Sequence, residues 1–298
     1  MEKVLTLVST PGGLTAGHIA TARDALRGAH ASVSPPDWLA EETACDLLFS
    51  GISADFADAV VRPHFSDAGV DLFFQPVENR RKQLLIADMD STMVTGETLD
   101  DLAAFAGLKD KIAAITERAM RGELDFEEAL RERVGMLKGL SADALERTWE
   151  EIRFMPGAHT LVQTMRANGA HCILASGGFT FFTGRVAAAC GFHEHHANTL
   201  ILEDGKLTGE VGSPILGKDA KLRLLMEGAG ARHLPLSLTA AVGDGANDLP
   251  MLQAAALGVA YHAKPLVRDS VAHKVNAGNL TALLFAQGYK ATEFVTAP

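Results

Sequence analysis

The chain has 298 residues, 47% of them hydrophobic, and a formal net charge of −10 at pH 7. That length exceeds one average domain and predicts two or three units with a substantial buried core. The acidic balance argues against nucleic acid or an anionic membrane as the main partner, and no run approaches the ~18 apolar residues of a membrane span.

An anionic substrate would therefore need local positive charge or a metal. Cys45, Cys172 and Cys190 form no C-x-x-C pair, so a reducing, cytoplasmic setting is the expectation. The opening MEKVLTLVSTPGG is too polar for a signal peptide.

Val4–Val8 reads as a strand, Gly12-Gly13 as a turn, and Ala16–Leu26 as a helix with Ile19, Ala22, Ala25 and Leu26 on one side. Pro35-Pro36 interrupts a strand pair expected near Ala31–Val33 and Cys45–Phe49. A second helix is expected over Ala54–Pro63 and a last strand over Val70–Phe74. This βαββαβ order predicts a ferredoxin-like α+β unit over residues 1–80. It carries no catalytic constellation, and a regulatory or dimerising role stays open. The charged run Glu78–Lys82 reads as the linker out of it.

Leu84–Ala87 is an apolar run of the kind that forms a buried strand in a parallel sheet. Asp88-Met89-Asp90-Ser91-Thr92 follows it, putting two carboxylates at the strand's carboxyl end, where open α/β sheets bind ligands. From Val94 to Phe154 the patterns are helical, broken at Gly107, Gly122 and Gly139, which predicts a helical cap inserted after the first core strand. Asp125 and Glu128 fit a capping box, and Phe126, Leu130, Val134 and Leu137 form one stripe. Arg133 borders that stripe; read alone, its stem covers apolar surface while its head reaches water.

Pro156-Gly157 precedes a helix through Met165. Cys172–Ala175 is a second core strand ending in Ser176-Gly177-Gly178-Phe179, a hydroxyl and glycines suited to a phosphate. Leu200–Leu202 and Lys206–Val211 flank an Asp-Gly turn and predict a hairpin. Lys218-Asp219-Ala220-Lys221 opens a helix, where a lysine is ordinarily solvated. Leu238–Val242 is a third strand, ending in the loop Gly243–Asp248. Asn247-Asp248 occupies helix-capping positions, whereas Asp244 sits at a glycine-flanked strand end with no such structural reason. Gly258–Tyr261 is a fourth strand, and the tail from Pro265 carries weak helical patterns. Adjacent histidines in His193-Glu194-His195-His196 point in different directions, so no metal site is assigned there.

Asp88-Met89-Asp90-Ser91-Thr92, Ser176, Lys221 and the Gly243–Asp248 loop resemble the four motifs of the haloacid dehalogenase (HAD) superfamily. Glu97, Met120, Phe126 and Arg133 resemble, more narrowly, the phosphoserine phosphatase family. Met89 departs from the Phe of many relatives. The resemblance implies a Rossmann-like core over 81–93 and 155–298, a cap over 94–154, and an ACT-like N-terminal unit. It implies Asp88 as nucleophile and Asp90 as general acid/base, with Mg²⁺ on Asp88, the Asp90 carbonyl and Asp244, supported by Asp248. Ser176, Gly177, Lys221 and Asn247 would hold the phosphate end, Glu97 the substrate ammonium and Arg133 its carboxylate. Met120 and Phe126 would wall the site. The implied reaction is hydrolysis of O-phosphoserine, the last step of serine biosynthesis, with an amino-acid effector and a homodimer compatible with the N-terminal unit. Another small phosphomonoester, transfer to another acceptor, or an amino-acid sensor with a vestigial core are the competing readings.

Overall fold

The computed structural model describes residues 2–120, 124–217 and 219–296, but not the side chains of Glu117, Ala119 and Met120. The chain opens with β1 (Lys3–Ser9), α1 (Ala16–Gly28), β2 (Ser32–Val33), β3 (Asp37–Ala40), β4 (Ala44–Ser50), α2 (Ala54–Val61) and β5 (Val70–Pro76). Its strands form an antiparallel sheet in the order β2-β4-β1-β5, with β3 also paired to β4. Side chains alternate across a strand, so Leu5 and Leu7 enter a core with Leu47, Phe49 and the helices, while Val8 and Phe73 join the cluster of the following unit. The sheet therefore has two buried faces, one on its own helices and one on the rest of the protein.

β3 corrects the sequence reading. The prolines end β2, but Trp38 pairs with Cys45 and Leu39 is buried, so the chain returns beside β4. The linker is also less solvated than its charge suggests. The Arg80 guanidinium donates to both Asp46 oxygens (2.6 and 2.7 Å), to the Thr6 hydroxyl (2.7 Å) and to the Ala286 carbonyl (2.8 Å). Asp71 on β5 accepts the backbone N–H groups of Asn276, Ala277 and Gly278 at 2.8–3.2 Å.

The second unit begins with β6 (Leu84–Ala87), and four helices follow: α3 (Thr98–Ala104), α4 (Lys109–Met120), α5 (Phe126–Gly135) and α6 (Asp143–Glu151). Next come α7 (Ala158–Ala167), β7 (His171–Phe179), α8 (Thr180–Cys190), β8 (Glu194–Asn198), and the hairpin β9 (Leu200–Glu203) and β10 (Lys206–Val211). The chain continues through α9 (Ala220–Ala231), β11 (Thr239–Gly243), α10 (Leu249–Ala254), β12 (Leu257–Tyr261), α11 (Pro265–Ser270), β13 (His273–Val275) and α12 (Ala282–Ala286). Among the described residues six strands form one parallel sheet, in the order β13-β12-β11-β6-β7-β8. Leu85, Ala87 and Val242 pack on one face; Leu84, Ile86 and Ala241 pack on the other. Burial on both faces is why these strands read as unbroken apolar runs.

The pairing of β6 with β11 brings Asp88 beside Asp244. Glu194–His196 lie in the edge strand β8. Two details differ from the sequence reading: the tail contributes β13 as well as helices, and Ser176–Phe179 continues β7 up to the start of α8. Gly122 and Lys218 lie outside the described residues.

The two chain segments entering and leaving the cap are joined to each other. Thr95 N–H donates to Arg153 O (2.8 Å) and Met155 N–H to Met93 O (2.9 Å). Gly157, with φ +85°, sits where a Cβ would meet Asn279 Oδ1 at 2.8 Å and Thr281 N at 2.9 Å. The hairpin braces the cap: Gly139 N–H donates to Leu207 O (2.8 Å), and Leu207 N–H to Leu140 O (2.9 Å).

Breaking a buried ion pair by removing one partner is strongly destabilising, because the other charge stays buried. Arg80→Ala should therefore lower the unfolding free energy by about 3 kcal/mol, measured by urea titration. An unchanged midpoint would show that the Arg80–Asp46 contact contributes nothing.

Candidate active site

Asp88 is the first residue beyond β6, and its N–H donates to Val242 O (3.0 Å), which extends the β6–β11 ladder by one step. Its Oδ1 accepts Met89 N–H (2.7 Å) and lies 2.7 Å from Lys221 Nζ. Across the sheet, Asp244 Oδ1 accepts the Thr92 hydroxyl at 3.2 Å. Asp248 ties the second loop together: Oδ2 accepts Asp244 N–H (3.1 Å) and Gly245 N–H (2.9 Å), and Oδ1 pairs with Lys221 Nζ at 2.6 Å. A Cβ on Gly243 would run into the Asp248 carboxyl, so this loop can close only with glycine there. Ligand oxygens of Asp88, Asp244 and Asp248 lie within 4.8 Å of one another.

The charges do not balance. Burial raises the Asp88 pKa well above the carboxylate range, Asp248 and Asp244 push the same way, and Lys221 only partly opposes them. Burial and Asp248 together lift Asp244 to about 6. Burial alone would lower the Lys221 pKa, but Asp248 and Asp88 outweigh it and the net shift is upward. Lys221 thus pairs directly with two of the three carboxylates, and Lys264 adds attraction at Asp244. Oxygen ligands in a cluster with excess negative charge are the donor set that a hard divalent cation takes, so the residues fit such an ion.

Asp90 stands beside this cluster, its Oδ1 accepting Thr98 N–H (2.8 Å) at the start of α3 and its Oδ2 accepting the Ser176 hydroxyl (3.2 Å). Burial raises its pKa, and the hydrogen bond from Thr98 N–H works against that rise. The Ser176 oxygen in turn accepts Gly178 N–H at 2.8 Å, and Asn198 holds the Gly177 carbonyl at 2.9 Å. Phe126, at the head of α5, stands over Gly177, with a ring carbon 3.4 Å from where a Cβ would lie. Phe126, Ser176, Gly177, Lys221 and Asn247 line a pocket of ≈ 10 Å³, room for about one water.

Glu97 caps the route from the first acidic loop into α3. Its Oε1 accepts the Ser91 hydroxyl at 2.9 Å, and Ser91 has φ +54°. Burial and the nearby Asp90 raise the Glu97 pKa to about 7, against the Ser91 hydrogen bond. Arg133 is half-buried rather than freely solvated, and its head is held by protein groups. Its Nε–H donates to Ala129 O and its Nη1–H to Thr116 Oγ1, both at 3.1 Å, and burial lowers its pKa against the pull of Asp100 and Glu97. The side chain of Met120 lies outside the described residues. Sequence reading missed Ser91, Thr92 and Thr98 as hydrogen-bonding members of the site. Their one signal is the concentration of hydroxyl residues around two acids at a strand end.

Residues 85–253 match the family model of the haloacid dehalogenase-like hydrolases. The chain belongs to this family. A phosphoserine phosphatase of Streptomyces coelicolor is 40% identical over 248 residues, covering 83% of this chain; the chain spans 60% of that protein's length. Among solved structures, a HAD family hydrolase from Salmonella enterica serovar Typhi superposes with a TM-score of 0.82 at 28% identity, covering 95% of this chain and 98% of that one. A phospho-aspartyl intermediate analogue of phosphoserine phosphatase gives a TM-score of 0.64 at 36% identity, covering 68% of this chain and 98% of that one. The fold is therefore shared with these HAD relatives, and the N-terminal antiparallel sheet lies outside the family-matched region.

The raised Asp244 pKa makes metal-free stability depend on pH. A carboxyl whose folded pKa is about 6, against an ordinary 3.8, binds its proton more tightly when folded. Its contribution is fully present below about pH 4 and is lost as pH rises to about 6. Asp244→Asn should thus stabilise the metal-free protein at pH 7 by on the order of 2–3 kcal/mol, with no gain near pH 4. At pH 7 a divalent cation should raise the unfolding midpoint of the parent more than that of the variant. Parallel pH–stability curves for parent and variant would contradict the assignment.

Proposed function

We propose that this chain is a phosphoserine phosphatase, converting O-phospho-L-serine and water to L-serine and phosphate through an aspartyl-phosphate on Asp88. One arrangement carries the reading: Asp88 lies 2.7 Å from the buried Lys221, in a three-carboxylate cluster beneath a cap that bears Glu97 and Arg133. The likeness to proteins named phosphoserine phosphatase, one described as a phospho-aspartyl intermediate analogue, supports it.

Hydrolysis of a phosphate monoester is very slow without catalysis, so large transition-state stabilisation is required. In this reading an Asp88 carboxylate oxygen attacks phosphorus and the phosphorus–ester oxygen bond breaks. Asp90, whose raised pKa favours the protonated form, delivers its proton to the departing serine oxygen. Asp90 then takes a proton from water as that water attacks the aspartyl-phosphate, and Asp88 is released as a carboxylate. Lys221, the Ser176 hydroxyl, Gly177 and Asn247 hold the phosphoryl oxygens. Mg²⁺, held by Asp88, the Asp90 carbonyl and Asp244 with Asp248 behind them, would neutralise the charge that accumulates between carboxylate and phosphate.

Substrate selection falls to the cap, with Glu97 for the ammonium and Arg133 for the carboxylate, a group its planar fork matches. Phe126 stands over Gly177, and in this reading the cap lifts it to admit substrate and lowers it to exclude water. A cytoplasmic setting accompanies this reading. The three cysteines are free and buried, and burial pushes each thiol up to about 12, which leaves them inert.

Asp88→Asn should reduce phosphate release from phosphoserine by about 10⁴-fold or more while the circular dichroism spectrum stays that of the folded parent. Turnover close to the parent's would remove Asp88 as nucleophile. Arg133→Ala should cut the preference for phosphoserine over phosphoethanolamine, which lacks the carboxylate, by about tenfold or more. An unchanged ratio of kcat/KM values would reject Arg133 as the carboxylate clamp.

A further inference from the structure

The long Arg133 side chain is held both from its own helix and from a neighbouring one. Thr116, on α4, has its Oγ1 3.1 Å from the carbonyl of Ile112, one turn earlier, and 3.1 Å from Arg133 Nη1. A threonine hydroxyl has one proton and two lone pairs. Back-bonding to the carbonyl four residues earlier is a favoured helical rotamer of threonine, and it commits the proton. Only lone pairs are then left to face Arg133, so the hydroxyl acts there as an acceptor. The second anchor is Arg133 Nε–H on Ala129 O, also at 3.1 Å. Two fixed N–H groups on a planar guanidinium set the plane of the whole fork.

We propose that Thr116 is a positioning residue for carboxylate selectivity, orienting the Arg133 fork before substrate arrives. The inference rests on Arg133 being the carboxylate clamp. Asp100 and Glu97 favour the charged guanidinium in its half-buried position, while Ala129 and Thr116 hold its Nε and Nη1 groups. Without the Thr116 acceptor, ordering of the fork would fall on the binding step and weaken it.

The test compares Thr116→Val, Thr116→Ser, Arg133→Ala and the Arg133→Ala/Thr116→Val double variant on phosphoserine and phosphoethanolamine. Thr116→Val, close in shape to the parent, should raise KM for phosphoserine about tenfold. It should leave kcat, and KM for phosphoethanolamine, within about twofold of the parent. Thr116→Ser should restore the parental KM, and Thr116→Val should add nothing once Arg133 is alanine. A KM that shifts equally for both substrates, or a Thr116→Val effect that persists in the Arg133→Ala background, would reduce Thr116 to a packing role and overturn the proposal. A parent with no preference for phosphoserine would instead overturn the Arg133 reading, and this proposal with it; that result is visible before any variant is made.

Discussion

Lys221 is 4% exposed, and a charge so thoroughly removed from water is tolerated only when it is paired and hydrogen-bonded. Asp88 and Asp248 satisfy it from two different strand ends, so the ammonium joins the first acidic loop to the second. Asp248 spends its other oxygen on the amides of Asp244 and Gly245, which fixes Asp244 in turn. The position of every acid in the cluster thus depends on a single lysine from α9. The same pairing leaves more negative than positive charge in a dry site. The carboxylate oxygens that carry this excess are the donor set that a hard divalent cation takes.

The cap supplies a second constraint. Its two connecting segments hydrogen-bond to each other, so it is attached through one paired stem rather than two independent linkers. Phe126 and Arg133 share α5, which the β9–β10 hairpin braces at its far end. A movement that lifts Phe126 from Gly177 therefore carries Arg133 with it. Glu97, by contrast, is tied through its carboxylate to the Ser91 hydroxyl in the first acidic loop.

How much of this was legible in the sequence differs from element to element. The strands before Asp88 and Asp244 were legible because both of their faces are buried and their runs are apolar but for Thr239. The cap was legible because Phe126, Leu130, Val134 and Leu137 keep a helical period. β3 and β13 were not, being short, partly polar edge elements whose pairing is decided by tertiary context. Lys221 was legible only through family resemblance. Nothing local distinguishes a buried lysine from a solvated one when the carboxylates that pair with it come from distant parts of the chain. Arg133 was misread in isolation for the same reason, since Thr116 and Asp100 lie on other helices. Arg80 and Lys82, read only as part of a charged linker, are drawn inward by distant partners, Asp46 and Ala286 for Arg80 and the Ser237 carbonyl for Lys82.

The Asp71 contact has a consequence for how the protein can be divided. Its carboxylate accepts three consecutive backbone amides, of Asn276, Ala277 and Gly278. The residues just beyond rest on the cap's return segment: Leu280 N–H donates to Pro156 O at 3.1 Å, and Asn279 and Thr281 crowd Gly157. His262 also holds the Gly278 carbonyl, two residues before Lys264, whose N–H donates to Asp244 O. Excising the N-terminal unit would therefore orphan donors in a segment that supports both the cap stem and the second acidic loop. The catalytic half is not a freestanding module here. Its local opening is cooperative with the sheet that precedes it, and hydrogen exchange at residues 276–278 should report on both at once.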